Sequence, residues 1–163
     1  MLEQVDLAIL TEPAAKPLTT FALAVLPIWA YVRDDHPWAT RDRVSLTQLV
    51  EETLIVMEPH FKPHAILTSA LDEARLALGS VLTCGNAQLA QALAAAGRGV
   101  AVVSDDRRFD LVPIRIMTER GQLSIHLYAA WDSGHHASGT LEELAHRLRT
   151  FCGDRYGEDV VPG

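Results

Sequence analysis

Three short apolar runs separated by two helical segments dominate the middle of this sequence. The runs are Thr53–Met57 (TLIVM), Ser80–Cys84 (SVLTC) and Gly99–Val103 (GVAVV), and the second helical segment is Ala87–Ala96. Continuous apolar strands joined by helical crossovers are typical of a parallel sheet that is covered on both faces. The sequence therefore predicts an α/β fold in this region.

Two loops follow the first two of these strands, Glu58–His64 and Cys84–Asn86. Right-handed crossovers place both loops at the carboxyl edge of the predicted sheet. Ligands of open α/β sheets bind at this edge, where helix N-termini present N–H groups. Asn86 is a favourable N-cap residue, and Gly85 allows the backbone to approach a ligand closely. We interpret the edge as a candidate pocket, while a purely structural capping role for Asn86 stays open.

Several helix ends are predicted from local signals. Ser45 and Thr140 are each followed three residues later by Gln or Glu, the spacing of a capping box. Pro63 suits the first turn of a helix, and Gly79 and Gly153 predict where two helices end. One face of the last helix is predicted to carry Leu141, Leu144, Leu148 and Phe151.

Strand signals continue outside the central region. An apolar run at Val5–Leu10 predicts a buried strand, and Gln122–Trp131 alternates as a half-buried strand does. The longer run Phe21–Val32 contains Pro27, which predicts a bend or an edge there. Residues 27–112 therefore make a complete lobe, whereas 1–26 and 113–163 offer too few elements for a second layer. Either the chain is part of a two-lobed domain, or a partner chain completes it.

Composition excludes several classes of function. Apolar residues make up 48% and charged residues 21%, as in a soluble globular domain. The net charge of −7 and a pI near 5.4 disfavour direct binding to nucleic acid. Two cysteines require no disulfide framework, so a reducing cytoplasm is expected. The run Phe21–Val32 is shorter than the about 20 residues that a bilayer demands, and no signal peptide is evident.

The same loops contain histidine and cysteine side chains that could bind a metal ion or take part in catalysis. His60 and His64 are four residues apart, but Pro59 and Pro63 oppose a helix that would stack them, so we expect no metal site. Cys84 at a helix start could be an activated thiolate, although a buried apolar role is the simpler interpretation. A small hydrolase that uses Cys84 with His60 or His64 remains an alternative, as does a stand-alone ligand-binding module.

His135 and His136 lie in a glycine-rich turn and are expected on the surface.

Three phrases of the sequence resemble one protein family. VDLAIL, DDHPWA and LAQALAAAGRGVAVVSD resemble, in order and with fitting spacings, segments of the regulatory part of LysR-type transcriptional regulators. The resemblance covers residues 3–152. The loop MEPHFKPHAIL further resembles the subgroup that responds to aromatic-degradation intermediates such as muconate.

This resemblance implies a two-lobed fold like type 2 periplasmic binding proteins, with one lobe complete and the other partial. It implies a small organic or aromatic carboxylate as effector between the lobes, a homo-oligomer, a cytoplasmic location, and neither a cofactor nor enzymatic activity. Promoter DNA would be bound only through a helix-turn-helix absent from this chain. The positions that match the family's effector pocket are Thr11, Lys62, Pro63, His64, Cys84, Gly85 and Asn86.

Overall fold

The computed structural model describes residues 5–163, which form two units. The terminal unit comprises Met1–Leu26 with His126–Gly163, and the central unit comprises Pro27–Ile125. The predicted lobe boundary at residue 112 therefore differs from the observed one. Residues 113–125 stay in the central unit because most of them form strands that pair within its sheet.

Strands and helices alternate along the central part of the chain. The strands are β1 (Ala8–Leu10), β2 (Leu18–Pro27), β3 (Trp29–Val32), β4 (Arg43–Ser45), β5 (Leu54–Met57), β6 (Val81–Cys84), β7 (Val100–Val103), β8 (Val112–Thr118), β9 (Gly121–Gln122) and β10 (Ser124–Asp132). The helices are α1 (Leu46–Leu49), α2 (Lys62–Glu73), α3 (Ala87–Ala95) and α4 (Ser138–Tyr156), followed by a 3-10 turn at Glu158–Val160. Among the helices of residues 5–163, none combines the length and apolar character needed to cross a bilayer.

The sheet of the central unit has the strand order β4-β8-β3-β7-β5-β6, and β9 pairs with β8. β5 lies parallel to both β6 and β7, so that Leu54 is level with Val81 on one side and Val100 on the other. All residues of β5 and β7 are buried, as expected for strands covered on both faces. The predicted parallel α/β arrangement is thus confirmed.

The two faces of this sheet are covered by different helices. α1 and α2 cover one face with large aliphatic side chains such as Leu49, Leu67 and Leu71. α3 covers the other face largely with alanines, including Ala90 and Ala94, which allow its backbone to lie close to the strands. These crossovers bring the starts of α2 and α3 to the carboxyl edge of the sheet.

The terminal unit has a three-stranded sheet in the order β1-β10-β2, with α4 packed on it. Its core contains Leu23, Ala129, Trp131, Leu141 and Ala145. β1 begins at Ala8 rather than Val5. The long predicted run divides at Ile28, directly after Pro27, into β2 and β3 of different units, in agreement with the predicted bend.

Two helix ends differ from the sequence prediction. The capping box at Ser45 is present, with Gln48 completing it. α2, however, ends at Glu73 rather than before Gly79, because Arg75 takes a left-handed conformation with φ of 57°. The predicted box at Thr140 is wrong, since α4 already begins at Ser138.

The end and the packed face of α4 also differ from prediction. α4 passes through Gly153 and ends at Tyr156. Leu144 and Phe151 are 44% and 59% exposed, so they do not belong to the packed face. The core is contacted by Leu141, Ala145, Leu148 and Cys152. This spacing of four, three and four residues follows a narrow stripe along the helix.

Candidate functional site

The two loops predicted to form a pocket lie side by side at one edge of the central sheet. Met57 and Cys84, the last residues of β5 and β6, are paired in register. The Glu58 N–H donates to the Cys84 carbonyl at 3.0 Å. A Cβ atom placed on Gly85 would lie 3.5 Å from Glu58 Oε1. The starts of α2 and α3 therefore open at the same edge.

The start of α2 lacks an oxygen-bearing cap of its own. Phe61 occupies the N-cap position, where an aromatic ring offers no acceptor to the N–H groups of the first turn. Lys62 is the first residue of the helix, and Pro63 lies in its first turn, where the missing N–H has no helical partner anyway. The positive end of the helix dipole therefore faces outward beside a lysine.

The start of α3 is capped by the side chain of its N-cap residue, Asn86. Asn86 Oδ1 accepts a hydrogen bond from the Leu89 N–H at 2.7 Å. Its capping role, left open by the sequence, is therefore real and engages the side-chain oxygen. Asn86 is exposed, so its side-chain amide nitrogen remains available at the edge.

His64 is anchored to the end of β5. Its Nδ1 lies 2.8 Å from the carbonyl oxygen of Met57. This bond joins the first turn of α2 to the sheet edge, and it fixes the orientation of a partly buried imidazole ring. No spacing rule in the sequence signals a side-chain bond between these two positions.

The Cys84 side chain points into the core instead of toward a ligand. It is 3% exposed and packs with Ala87 and Ala90 of α3. Burial raises the pKa of the Cys84 thiol, the reverse of what a nucleophile requires. Cys84 contributes to the edge through its backbone, whose carbonyl already accepts from Glu58. The geometry thus speaks against the Cys84 hydrolase.

His60 and His64 do not converge. His60 Nδ1 lies 3.4 Å from Glu58 Oε2 in an exposed contact, whereas His64 turns to the Met57 carbonyl. Within residues 5–163, no three His, Cys, Asp or Glu side chains are placed to hold a metal ion together. Thr11 follows β1 in the terminal unit, so the six other predicted site residues form the cluster in the central unit.

A groove beside α2 was not predicted from the sequence. It encloses about 340 Å³ between α2 and the β8–β9 hairpin, and Lys62, Ser69 and Ser124 contribute to its lining. An ion pair of 3.3 Å between Arg120 and Glu73 spans the same two elements. The groove depends on long-range packing, which leaves no local signal in the sequence.

Comparison with known families now bears on this geometry. The family model of the LysR substrate binding domain matches residues 2–153. The chain belongs to this family. A search of curated protein sequences finds no match.

Solved structures of LysR-family regulatory domains share the fold. The effector-binding domain of BenM, solved with its effector benzoate, matches with a TM-score of 0.75 and 17% identity over 94% of this chain and 71% of that one. The regulatory domain of CcmR from Synechocystis PCC6803, in complex with 2-PG, has a TM-score of 0.67 and 20% identity over 90% and 73%.

A LysR family regulator from Pseudomonas aeruginosa matches with a TM-score of 0.73 and 20% identity over 91% of this chain. The chain spans about half of that regulator, 53% of its length. The family and the periplasmic-binding-protein-like fold expected from the resemblance are both confirmed.

Proposed function

We propose that this chain is the effector-sensing regulatory part of a LysR-type transcription factor. The edge formed by Glu58–His64 and Cys84–Asn86 would bind the carboxylate of a small organic acid, and the chain would perform no catalysis. The open start of α2 is the observation that carries this proposal. A helix start without a capping oxygen attracts an anion through its N–H groups and its dipole.

Local charge supports an anionic ligand in a chain of net charge −7. Lys62 begins α2 directly at this edge. Glu58, the nearest acidic residue in the loop, pairs with His60. The segment Ser80–Gly97, which contains β6 and α3, carries no charged residue. The α3 side therefore adds no charge of its own beside Lys62 and the start of α2.

The relatives suggest which organic acids to test first. BenM binds benzoate, and the Glu58–His64 loop resembles the subgroup that responds to muconate. We therefore infer an aromatic or unsaturated carboxylate as the ligand class. Thr11, at the end of β1, would contribute from the terminal unit as the family resemblance implies.

Thermal unfolding with benzoate and with muconate tests the proposal. Binding to the folded state raises its stability by about 2.7 kcal/mol at a ligand concentration of 100 Kd. Lys62→Gln and Gly85→Ala should each reduce the rise in Tm, the first by removing charge and the second by filling space. Lys16→Gln in the terminal unit removes the same charge and should leave the rise unchanged.

Two results would contradict the effector site. The first is that neither acid raises the Tm at millimolar concentration. The second is that Lys16→Gln weakens binding as strongly as Lys62→Gln, since the effect would then reflect net charge alone. The added Cβ of Gly85→Ala would make only an ordinary contact with Glu58, so the variant should fold normally. A weaker rise in Tm would then reflect weaker ligand binding.

We further propose that the chain acts in the cytoplasm as a homo-oligomer, and that promoter DNA is bound by a helix-turn-helix outside these 163 residues. β6 ends the central sheet and exposes Leu82, which is 40% accessible. An uncharged edge strand of this kind favours association with another chain. Light scattering that shows a strict monomer at high concentration would contradict the oligomer.

A further inference from the structure

The hydrogen bond of His64 determines which of its ring nitrogens carries hydrogen. Nδ1 lies 2.8 Å from the carbonyl oxygen of Met57. A carbonyl oxygen can only accept, so Nδ1 must be the donor. In the neutral ring, the other nitrogen, Nε2, then holds a lone pair and acts as an acceptor.

Two other histidines have the opposite arrangement. The Trp38 N–H donates to Nδ1 of His36 at 3.0 Å, and the Ala137 N–H donates to Nδ1 of His135 at 3.0 Å. In both rings Nδ1 is therefore the acceptor, and Nε2 carries the hydrogen of the neutral form. Their Nε2 atoms face the carboxylates of Glu52 and Asp6, which fits a donor. His64 thus differs from both.

The acceptor nitrogen of His64 reaches solvent. Among the side-chain nitrogen and oxygen atoms of residues 5–163, none that is buried lacks a hydrogen-bond partner. The hydrogen bond that the structure assigns to the His64 ring is made by Nδ1, so Nε2 must be accessible. The ring is otherwise partly buried and held in place, which makes Nε2 a fixed acceptor at the sheet edge.

The charged side chains closest to His64 along the chain are those of Glu58 and Lys62. Glu58 pairs with His60 in the loop between β5 and α2. Lys62 lies at the start of the same helix, and the neighbouring β6 and α3 carry no charge. A ligand held at the start of α2 would lie close enough to this helix turn to donate a hydrogen to Nε2.

We propose that His64 gives the effector site a preference for organic acids that carry a hydroxyl or N–H group in addition to their carboxylate. The inference rests on the proposed function. The carboxylate binds at the start of α2, and the second group donates its hydrogen to Nε2. A ligand with an ether oxygen at that position has no hydrogen to offer and meets the nitrogen lone pair.

The ring state can be tested without any ligand. Long-range proton–nitrogen NMR of the uniformly labelled chain at pH 7.5 distinguishes the two tautomers of each histidine. We expect the Nδ1–H form for His64 and the Nε2–H form for His36 and His135, which serve as internal controls. An Nε2–H form at His64 would overturn the inference.

The ligand preference is tested by titrating the chain with 3- and 4-hydroxybenzoate, their methyl ethers and benzoate. At least one hydroxybenzoate should bind about three- to tenfold more tightly than its methyl ether, the contribution of one hydrogen bond. His64→Asn keeps an amide donor for Met57 but has no atom at the Nε2 position, so the ratio of the two Kd values should fall to about one. His60→Asn should retain the preference.

Failure of the inference can be distinguished from failure of the effector site. If muconate, benzoate and all four substituted acids fail to bind, the effector site is wrong and the inference falls with it. If they bind but show no preference, or if His64→Asn retains it, the site stands and the role of His64 is wrong. His64→Gln places amide atoms near the Nε2 position and should restore the preference if His64→Asn loses it.

Discussion

The starts of α2 and α3 are capped differently although they open at the same edge of one sheet. Each helix follows a strand of four residues, and the two strands are paired in register. Asn86 closes α3 with its side-chain oxygen, whereas Phe61 leaves α2 without one. Sheet topology therefore decides where a helix begins, and one capping residue decides whether that start is available to a ligand.

The two helices also differ in how closely they pack. α3 presents alanines to its sheet face and lies near the strands, while α2 leaves a groove of about 340 Å³ along its side. Close packing and a closed cap make α3 a structural element. The open start and the groove of α2 support the proposal that this helix is the one that contacts ligands.

The largest expected effect on stability comes from disrupting the pairing of β5 with β7, because both helices pack on these strands. Gly99 has φ of +154°, and a Cβ there would lie 2.5 Å from the Thr53 carbonyl oxygen. That oxygen accepts from the Val100 N–H at 2.9 Å, which aligns β7 with β5. Gly99→Ala should therefore lower the free energy of unfolding by about 2–4 kcal/mol in urea denaturation.

Gly139→Ala is the matched control for this substitution. Gly139 lies in α4, where an added Cβ meets no atom within 4 Å. Alanine has the higher helix propensity, so stability should stay the same or rise by up to about 1 kcal/mol. If Gly99→Ala left the free energy of unfolding unchanged as well, the close approach of Gly99 to Thr53 would not be important for the stability of the sheet.

A smaller effect is expected at the cap of α3. Asn86→Ala removes the acceptor for the Leu89 N–H and should lower the free energy of unfolding by about 1 kcal/mol. Asn86→Asp keeps the acceptor and should leave stability nearly unchanged, but its charge should weaken the binding of benzoate. Urea denaturation of the two variants measures the effect of the cap on stability, and ligand titration measures the effect of the added charge on binding. If Asn86→Ala did not change the stability, the cap of α3 would not distinguish its start from that of α2.

The elements that the sequence predicts well have local signals. Ser45 and Gln48 form the two hydrogen bonds of a capping box within one turn. Asn86 accepts a hydrogen bond from the backbone N–H three residues later, and Pro63 lies in the first turn of its helix. The strands Leu54–Met57 and Val100–Val103 are continuous apolar runs. In each case, the favourable interaction lies within a few residues of the signal.

The features that escape prediction depend on residues far apart in the sequence. The end of α2 is set by the left-handed Arg75, which no glycine marks. The packed face of α4 depends on where Leu23 and Trp131 lie, so Leu144 and Phe151 could not be excluded by periodicity alone. The bond between His64 and Met57 requires the loop to fold back onto β5. The inward direction of Cys84 likewise follows from its pairing in the sheet.

The smallest predicted effect concerns Cys84, which ends β6 just before α3. Burial raises its pKa in the folded state above the ordinary value of a thiol. In the unfolded chain the thiol ionises first as the pH rises, so the unfolded state is favoured at alkaline pH. The stabilising contribution is complete below the unfolded pKa and is lost as the pH approaches the folded value.

Urea denaturation at pH 7.5 and pH 9.5 can isolate this contribution. The free energy of unfolding should fall less between pH 7.5 and pH 9.5 in Cys84→Ala than in the unchanged chain. This difference should be smaller than the loss of stability in Asn86→Ala. Cys152→Ala is the matched comparison, because burial also raises the pKa of that thiol in the terminal unit. A native chain whose Cys84 reacted with a thiol reagent as fast as a free cysteine would contradict this assignment.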